Sequence, residues 1–132
     1  PRSTPLYSSA ASDVYKRQAI DAGEVVNADG VKNQIEGGII QATSCTLIEE
    51  VNFDGEIISA TDWENYPIIK FRQTPQIHVE LIDRPEEPFL GVGEAAHGPT
   101  AAAISNALFT AMNIRIKQLP ITRERIISSL NN

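Results

Sequence analysis

Three stretches of the chain show the hydrophobic periodicity of a helix with one buried side. The first covers 31–50, and its expected buried positions are Ile35, Ile39, Ile40, Leu47 and Ile48. The second covers 100–112, directly after Pro99, and its expected buried positions are Ile104, Leu108, Ala111 and Met112. The third is "TRERIISSL", 122–130, in which Thr122 is suited to cap the helix start.

The clearest strand pattern is "QIHVELID", 76–83, in which apolar and polar residues alternate. Ile77, Val79 and Leu81 fall on one face, so His78 is expected on the opposite face, exposed to solvent rather than catalytic. This pattern predicts a strand that is buried on one side only.

Shorter patterns predict further strands and turns. "AIDAG", 19–23, is suited to the end of a strand, and "IRIKQLP", 114–120, to a short strand. "VNFDGEIISA", 51–60, alternates on both sides of an Asp-Gly pair and predicts a hairpin. Asp29 and Gly30 predict a tight turn ahead of the first helix. Helices and strands together indicate an α/β fold.

Proline and glycine mark the remaining segments as irregular. "DWENYPIIKFRQTPQ", 62–76, and "RPEEPFLGVGEAAHGP", 84–99, are predicted to be loops. Inside the first helix, Gly37 and Gly38 cost roughly 1 kcal/mol each relative to alanine. Close packing against a neighbouring strand and contact with a ligand explain that pair equally well, because both need backbone without a side chain.

Composition indicates one globular unit. The chain has 132 residues, of which 42% are hydrophobic and 21% charged. Its apolar runs are only a few residues long, whereas a membrane-spanning helix needs about 20. The single cysteine, Cys45, excludes an internal disulfide and a cysteine-based zinc site, and we expect it to be a small apolar residue on the first helix.

The first eighteen residues have the features of translated sequencing adaptor. "SSAASDVYKRQ", 8–18, back-translates without mismatch into the transposase adaptor of sequencing libraries, and "PRSTPLY", 1–7, into the flow-cell primer and a short index. The segment lacks the apolar stretch of a secretory signal. We therefore expect 1–18 to be non-native and 19–132 to be native protein that begins within a domain.

Charge argues against nucleic-acid binding. Without 1–18 the chain keeps 8 of 11 basic and 16 of 17 acidic residues, so its net charge changes from −6 to −8. A protein that binds nucleic acid carries a basic surface instead.

Candidate chemistry converges on Glu94. No phosphate-binding loop is complete, the two histidines are too far apart to predict a metal site, and no serine lies in a nucleophile motif. Glu94 lies in "GVGEAAHGPT", 91–100, after apolar Phe89, Leu90 and Val92 that could desolvate its carboxylate for use as a general base. On these local features alone, an exposed surface carboxylate is the more common outcome.

Several separated motifs occur in the order found in one enzyme family. "VVNADGVKNQIEGGIIQ", "NYPIIKF", "GVGEAAHGPTAAAISNALF" and "IRIKQLPIT" together resemble the C-terminal part of the molybdopterin-binding large subunit of the molybdenum hydroxylases. This is the xanthine dehydrogenase and aldehyde oxidase family, and the Glu-Ala-x-x-Gly-Pro-Thr form is most similar to the isoquinoline 1-oxidoreductase and nicotinate dehydrogenase branch. The resemblance covers nearly all of 19–132 and implies a mixed sheet with packed helices.

The resemblance implies roles for particular residues. Glu94 corresponds to the active-site base, which removes a proton from the water-derived oxygen that is added to the substrate, and Gln34 to a cofactor contact near the metal. Gly93 corresponds to a position where backbone lies near the cofactor, and no metal ligand is implied in this chain. His97 replaces a common glutamine, a difference that bears on substrate preference.

The resemblance also implies cofactors and partners. A molybdenum-molybdopterin group, in its cytosine dinucleotide form, would serve a bacterial enzyme of the cytoplasm or periplasm that oxidises an N-heteroaromatic compound or an aldehyde. Iron-sulfur clusters would lie on a separate small subunit, and the N-terminal part of the same subunit would complete the site. The competing hypothesis is a small non-catalytic α/β binding or assembly module.

Overall fold

A computed structural model describes residues 15–53 and 55–131. Along the chain its elements are β1 (Tyr15–Asp21), α1 (Ala28–Leu47), a short 3₁₀ helix (Phe71–Gln73), β2 (Gln76–Ile82), α2 (His97–Met112) and α3 (Arg123–Leu130). The expected α/β class is confirmed. Most of the suspected adaptor, 1–14, lies outside the described residues, whereas 15–18 form the first half of β1.

The sheet of the described residues is a single parallel pair. β1 and β2 run in register from Tyr15 opposite Gln76 to Asp21 opposite Ile82. Parallel neighbours require a crossover, and here α1 lies within that crossover and packs against β2. The hydrophobic core is therefore located between this helix and the sheet.

Helix α1 begins three residues earlier than predicted, and the predicted turn at Asp29-Gly30 is wrong. Asn27 caps the helix, and its Oδ1 accepts the Gly30 N–H at 2.8 Å. That bond satisfies one of the free N–H groups of the first turn, where the acidic Asp29 also interacts favourably with the helix dipole. The Asp-Gly pair is therefore compatible with a helix start once a capping residue precedes it.

The core combines α1, β2 and the start of α2. Its buried cluster consists of Ile35, Ile39, Val79 and Ala96, and partly buried apolar residues surround it: Ile20, Val31, Ile77, Leu81 and Val92. Burying a side chain of isoleucine size contributes about 1.5–3 kcal/mol. The predicted inner faces of α1 and β2 are thus confirmed at their centres, whereas Ile40, Leu47 and Ile48 are only half-buried.

Two predicted strand segments do not form regular strands. The hairpin over 51–60 is reduced to one antiparallel bridge between Phe53 and Ile58, and Asp54 lies outside the described residues. The segment 114–120 keeps its alternation, with Ile114 and Ile116 half-buried, but it is not paired with another described strand. Alternation fixes which side chains face inward, and a strand also needs a hydrogen-bonding neighbour.

The two C-terminal helices follow the prediction closely. α2 begins at His97, three residues before the predicted start, and Ala111 is exposed rather than buried. Thr122 caps α3 as predicted, because its Oγ1 accepts the Arg125 N–H at 3.3 Å. Cys45 does lie on α1, although it is exposed, and partial desolvation is the main cause that raises the pKa of its thiol, with Glu49 adding to it.

Candidate functional site

The loop that carries Glu94 is anchored to the end of β1 on its N-terminal side. Leu90 N–H donates to the Ala22 carbonyl at 2.9 Å, and Glu24 N–H donates to the Glu87 carbonyl at 2.9 Å. Between these bonds Gly23 has a φ of +63°, and a Cβ there would overlap the Pro88 carbonyl oxygen. Glycine at this position therefore lets the loop lie directly on the strand end.

Ion pairs support the same anchor. Arg84 contacts Asp21 at 2.9 Å and Glu87 at 2.8 Å, while the other oxygen of Asp21 accepts the Gly23 N–H at 3.0 Å. The Gly23 N–H first, and Arg84 second, lower the pKa of Asp21 from its ordinary value. The sequence patterns did not predict these residues, although the triplet Asp21-Ala22-Gly23 is a local signal, since Asp commonly accepts a backbone N–H two residues on.

The C-terminal side of the loop is anchored to α1. Ala96 is 1% exposed within the core, and His97 N–H donates to the Glu94 carbonyl at 3.1 Å. A Cβ added at Gly38 would lie 3.2 Å from the Ala96 Cβ, so the two elements approach closely at that glycine. Of the two explanations for the glycine pair, packing accounts for Gly38, and its neighbour is the start of α2 rather than a strand.

Glu94 lies between these two anchors. Its backbone is fixed by the turn into α2, but its side chain is exposed and forms no hydrogen bond with any residue that the structure describes. The apolar residues Phe89 and Leu90 are exposed as well, so the described residues do not enclose the carboxylate. Both carboxylate oxygens are therefore available to a group bound outside this part of the chain.

Gln34 and Gly93 are brought together. Gln34 is exposed on α1, and its Nε2 lies 3.9 Å from the position that a Cβ on Gly93 would occupy. Within the described ranges its amide has no hydrogen-bond partner, so both its donor and its acceptor are free. The structure therefore places the amide of Gln34 beside the residue that precedes Glu94.

A shallow apolar cleft of about 340 Å³ adjoins this pair. Its walls come from the end of β1, the start of α1 and the Glu94 loop: Ala22, Glu24, Val26, Asn27, Gly30, Val31, Gln34, Phe89, Leu90 and Val92. Gln34 is the residue that the cleft and the Glu94 loop have in common. A planar apolar group with a few polar edges suits such walls.

Two other features of the described residues bear on the site. His78 is exposed on β2, as predicted, and lies 3.0 Å from Glu80, whose pKa it lowers. Over 15–53 and 55–131, no three His, Cys, Asp or Glu side chains are grouped so that they could hold a metal ion. No helix in the same ranges combines the length and apolarity needed to cross a membrane.

Comparison with known proteins identifies relatives of the whole arrangement. A family model described as "Molybdopterin cofactor-binding domain" matches residues 16–75. One of the two subunits that define nicotinate dehydrogenase of Pseudomonas putida is 46% identical over 83% of this chain and 9% of its own length. The beta subunit of isoquinoline 1-oxidoreductase of Brevundimonas diminuta is 35% identical over 78% of this chain and 13% of its own length. The chain thus spans only a small part of its curated relatives.

Solved structures show the same fold. Quinoline 2-oxidoreductase from Pseudomonas putida 86 is similar over 88% of this chain and 16% of its own, with a TM-score of 0.76 and 32% identity. A Cu,Mo-CO dehydrogenase has a TM-score of 0.75 over 87% of this chain and 16% of its own, at 20% identity, which shows the fold alone. With these relatives in both sequence and structure, the chain belongs to the molybdopterin-binding subunits of the molybdenum hydroxylase family, in the branch of nicotinate dehydrogenase and isoquinoline 1-oxidoreductase.

Proposed function

We propose that the complete subunit oxidises an N-heteroaromatic compound or an aldehyde at a molybdenum-pterin centre, with water as the oxygen source. The observation that carries the proposal is the juxtaposition of Gln34, Gly93 and Glu94 on two elements that are packed together. The names of two relatives, nicotinate dehydrogenase and isoquinoline 1-oxidoreductase, indicate N-heteroaromatic substrates for those proteins. We extend that substrate class to this chain.

The donor set of the site fits a pterin cofactor. Gln34 offers an uncharged amide that can donate and accept at once, as the polar edge of a pterin requires. Gly37 and Gly91 would each carry a Cβ into open space, with nothing described within 4 Å, so their surfaces are free to receive a bulky group. We propose that Gln34 contacts the cofactor and that Gly93 leaves room for it.

Glu94 serves as the general base in this proposal. When bound, the molybdenum-pterin group supplies the two-electron acceptor for the oxidation. Glu94 accepts the proton of the attacking water-derived group on a carboxylate oxygen, which is free of competing hydrogen bonds within the described residues. The two anchors of the loop hold the backbone still, so that the carboxylate can be aimed at the substrate carbon.

The finer cofactor and partner assignments are also proposals. We propose the cytosine dinucleotide form of the cofactor, iron-sulfur clusters on a small partner subunit, and a bacterial cytoplasmic or periplasmic location. Both relatives are named as single subunits of their enzymes, which supports an enzyme of several subunits. The single cysteine of this chain supports clusters held elsewhere, because each cluster needs several cysteine ligands.

An apolar surface supports contact with further parts of the same subunit. It consists of exposed residues in the irregular segment after α1: Val51, Phe53, Ile57, Ile58, Trp63, Ile68 and Phe71. Phe71 is 95% exposed and Trp63 77%. Large exposed apolar patches mark interaction sites. We propose that the N-terminal part of the subunit covers this surface.

The segment 1–18 stays assigned to sequencing adaptor as a proposal. Resequencing the source DNA after adaptor trimming should give an open reading frame that continues upstream of the Ala19 codon with unrelated coding sequence. A trimmed read that retains the codons for 1–18 in genomic context would contradict the assignment.

Glu94→Gln in the complete holoenzyme tests the function. The amide keeps the shape of the side chain but cannot act as a base, so turnover should fall about 10²–10⁴-fold while molybdenum content stays unchanged. Glu86→Gln, on the same loop, is the matched control and should retain full turnover. Full activity of Glu94→Gln would remove the assignment, and a complete subunit without molybdenum or pterin would favour the non-catalytic binding module.

A further inference from the structure

The side chain of His97 bridges the Glu94 loop and α1. Its Nε2 lies 3.1 Å from Oε1 of Gln41. A carbonyl oxygen only accepts hydrogen bonds, so His97 Nε2 carries the proton and donates. Nδ1 is buried and has no partner among the described residues, which suits the tautomer in which Nδ1 carries no hydrogen.

The backbone of the same residue holds Glu94. His97 N–H donates to the Glu94 carbonyl at 3.1 Å, within the turn that opens α2. One residue therefore joins Glu94, through its backbone, to α1, through its ring. The ring lies directly over Gly38, because a Cβ there would be in van der Waals contact, at 3.6 Å, with both Cε1 and Nδ1.

The partner residues on α1 share one face of the helix. Gln34, Gly38 and Gln41 follow each other at separations of four and three residues, which places them in a row along one side. The row begins at the amide that we assign to the cofactor and ends at the amide that His97 contacts. A fixed distance between His97 and Gln41 consequently fixes where Glu94 lies relative to Gln34.

We propose that His97 is a positioning residue, which sets the distance between Glu94 and the cofactor contact Gln34 through its hydrogen bond to Gln41. The proposal rests on the proposed function of Glu94 and Gln34 and adds a role for two residues outside that pair. A glutamine at position 97 can supply the same N–H donor from its side-chain amide, whereas alanine and leucine cannot.

Three variants of the complete holoenzyme test the role. His97→Ala and Gln41→Leu break the bond from opposite sides, so each should lower kcat about tenfold or more, with KM and molybdenum content nearly unchanged. His97→Gln should regain most of the lost kcat. His78→Ala, a histidine exposed on β2, is the control and should retain full turnover.

Each outcome decides between the two proposals. Full kcat in both His97→Ala and Gln41→Leu, or a His97→Gln variant as slow as His97→Ala, overturns the positioning role. Loss of kcat in proportion to lost molybdenum also overturns it, because that loss would be structural. If His97→Ala does not fold, Gln41→Leu decides, since Gln41 is exposed. Full activity of Glu94→Gln would instead contradict the function itself.

Discussion

Gly38 of α1 and Ala96 at the start of α2 are packed so closely that a Cβ on Gly38 would lie 3.2 Å from that of Ala96. Its neighbour Gly37 would carry a Cβ into open space. The two adjacent glycines of one helix thus differ completely in their surroundings, which gives a matched pair of substitutions.

Gly38→Val should destabilise the complete apo-subunit, whereas Gly37→Val should not. Overpacking against Ala96 costs about 1–3 kcal/mol, which exceeds the gain of under about 1 kcal/mol from replacing a helical glycine. Gly37→Val has that gain without the clash. Thermal unfolding of the cofactor-free protein measures both, and equal melting temperatures would show that the contact between α1 and α2 is not tight.

Gly23→Ala should detach the Glu94 loop from β1. Its φ of +63° costs an alanine about 1–2 kcal/mol, and its Cβ would also overlap the Pro88 carbonyl. Gly55, with a φ of +105° and open space around it, is the control that bears the strain alone. Gly23→Ala should lose more stability than Gly55→Ala, and turnover as well. Similar losses in both would show that the loop does not depend on this approach.

Gln34→Leu should weaken retention of the cofactor. Leucine has a similar volume but removes the only amide beside Gly93 that the described residues provide for the proposed contact. Pterin and molybdenum content of the purified complete subunit should fall, while the melting temperature of the apo-protein stays unchanged. Asn33→Leu, the exposed neighbour on α1, should leave the content as it is; an equal loss in both variants would deny Gln34 a specific role.

The Asp21 anchor should weaken in acid. The folded state lowers the pKa of Asp21 below its ordinary 3.8, because Gly23 N–H and Arg84 favour the carboxylate. A group with a lowered pKa stabilises the fold above its unfolded pKa, and the contribution is lost as pH falls through the folded pKa. Asp21→Asn should therefore be less stable than the parent near neutrality and equal to it in strong acid.

Unfolding followed against pH checks this expectation. Glu86→Gln is the control, since Glu86 makes no hydrogen bond within the ranges that the structure describes. A stability difference between Asp21→Asn and the parent that persists unchanged into strong acid would contradict the assignment.

Local patterns predicted what local physics decides. The periodicity of α1 and β2 identified Ile35, Ile39 and Val79 as core residues, because burial follows helical and strand repeats. The cap at Thr122 and the irregular Glu94 loop are likewise properties of short stretches. The roles of Gln34 and Glu94, by contrast, came from family resemblance, since an exposed amide and an exposed carboxylate have no distinctive local pattern.

Long-range relationships were not predictable from one sequence. The anchor between Ala22 and Leu90 and the bond between Gln41 and His97 each join residues more than fifty positions apart. The predicted strand at 114–120 failed for the same reason, because a strand exists only where a partner lies alongside. The start of α1 was missed more locally, since Asn27 was not recognised as a cap.

The parallel pairing of Ala19 with Glu80 has a consequence for synthesis of the chain. β1 waits for its partner while 61 further residues are added, which takes roughly 3–12 s at ribosomal rates of about 5–20 residues per second. A helix such as α1 forms within microseconds. Ile35 and Ile39 are therefore presented on a finished helix for seconds before Val79 and Ala96 exist to cover them, and we expect this helix to be a binding site for chaperones of the nascent chain.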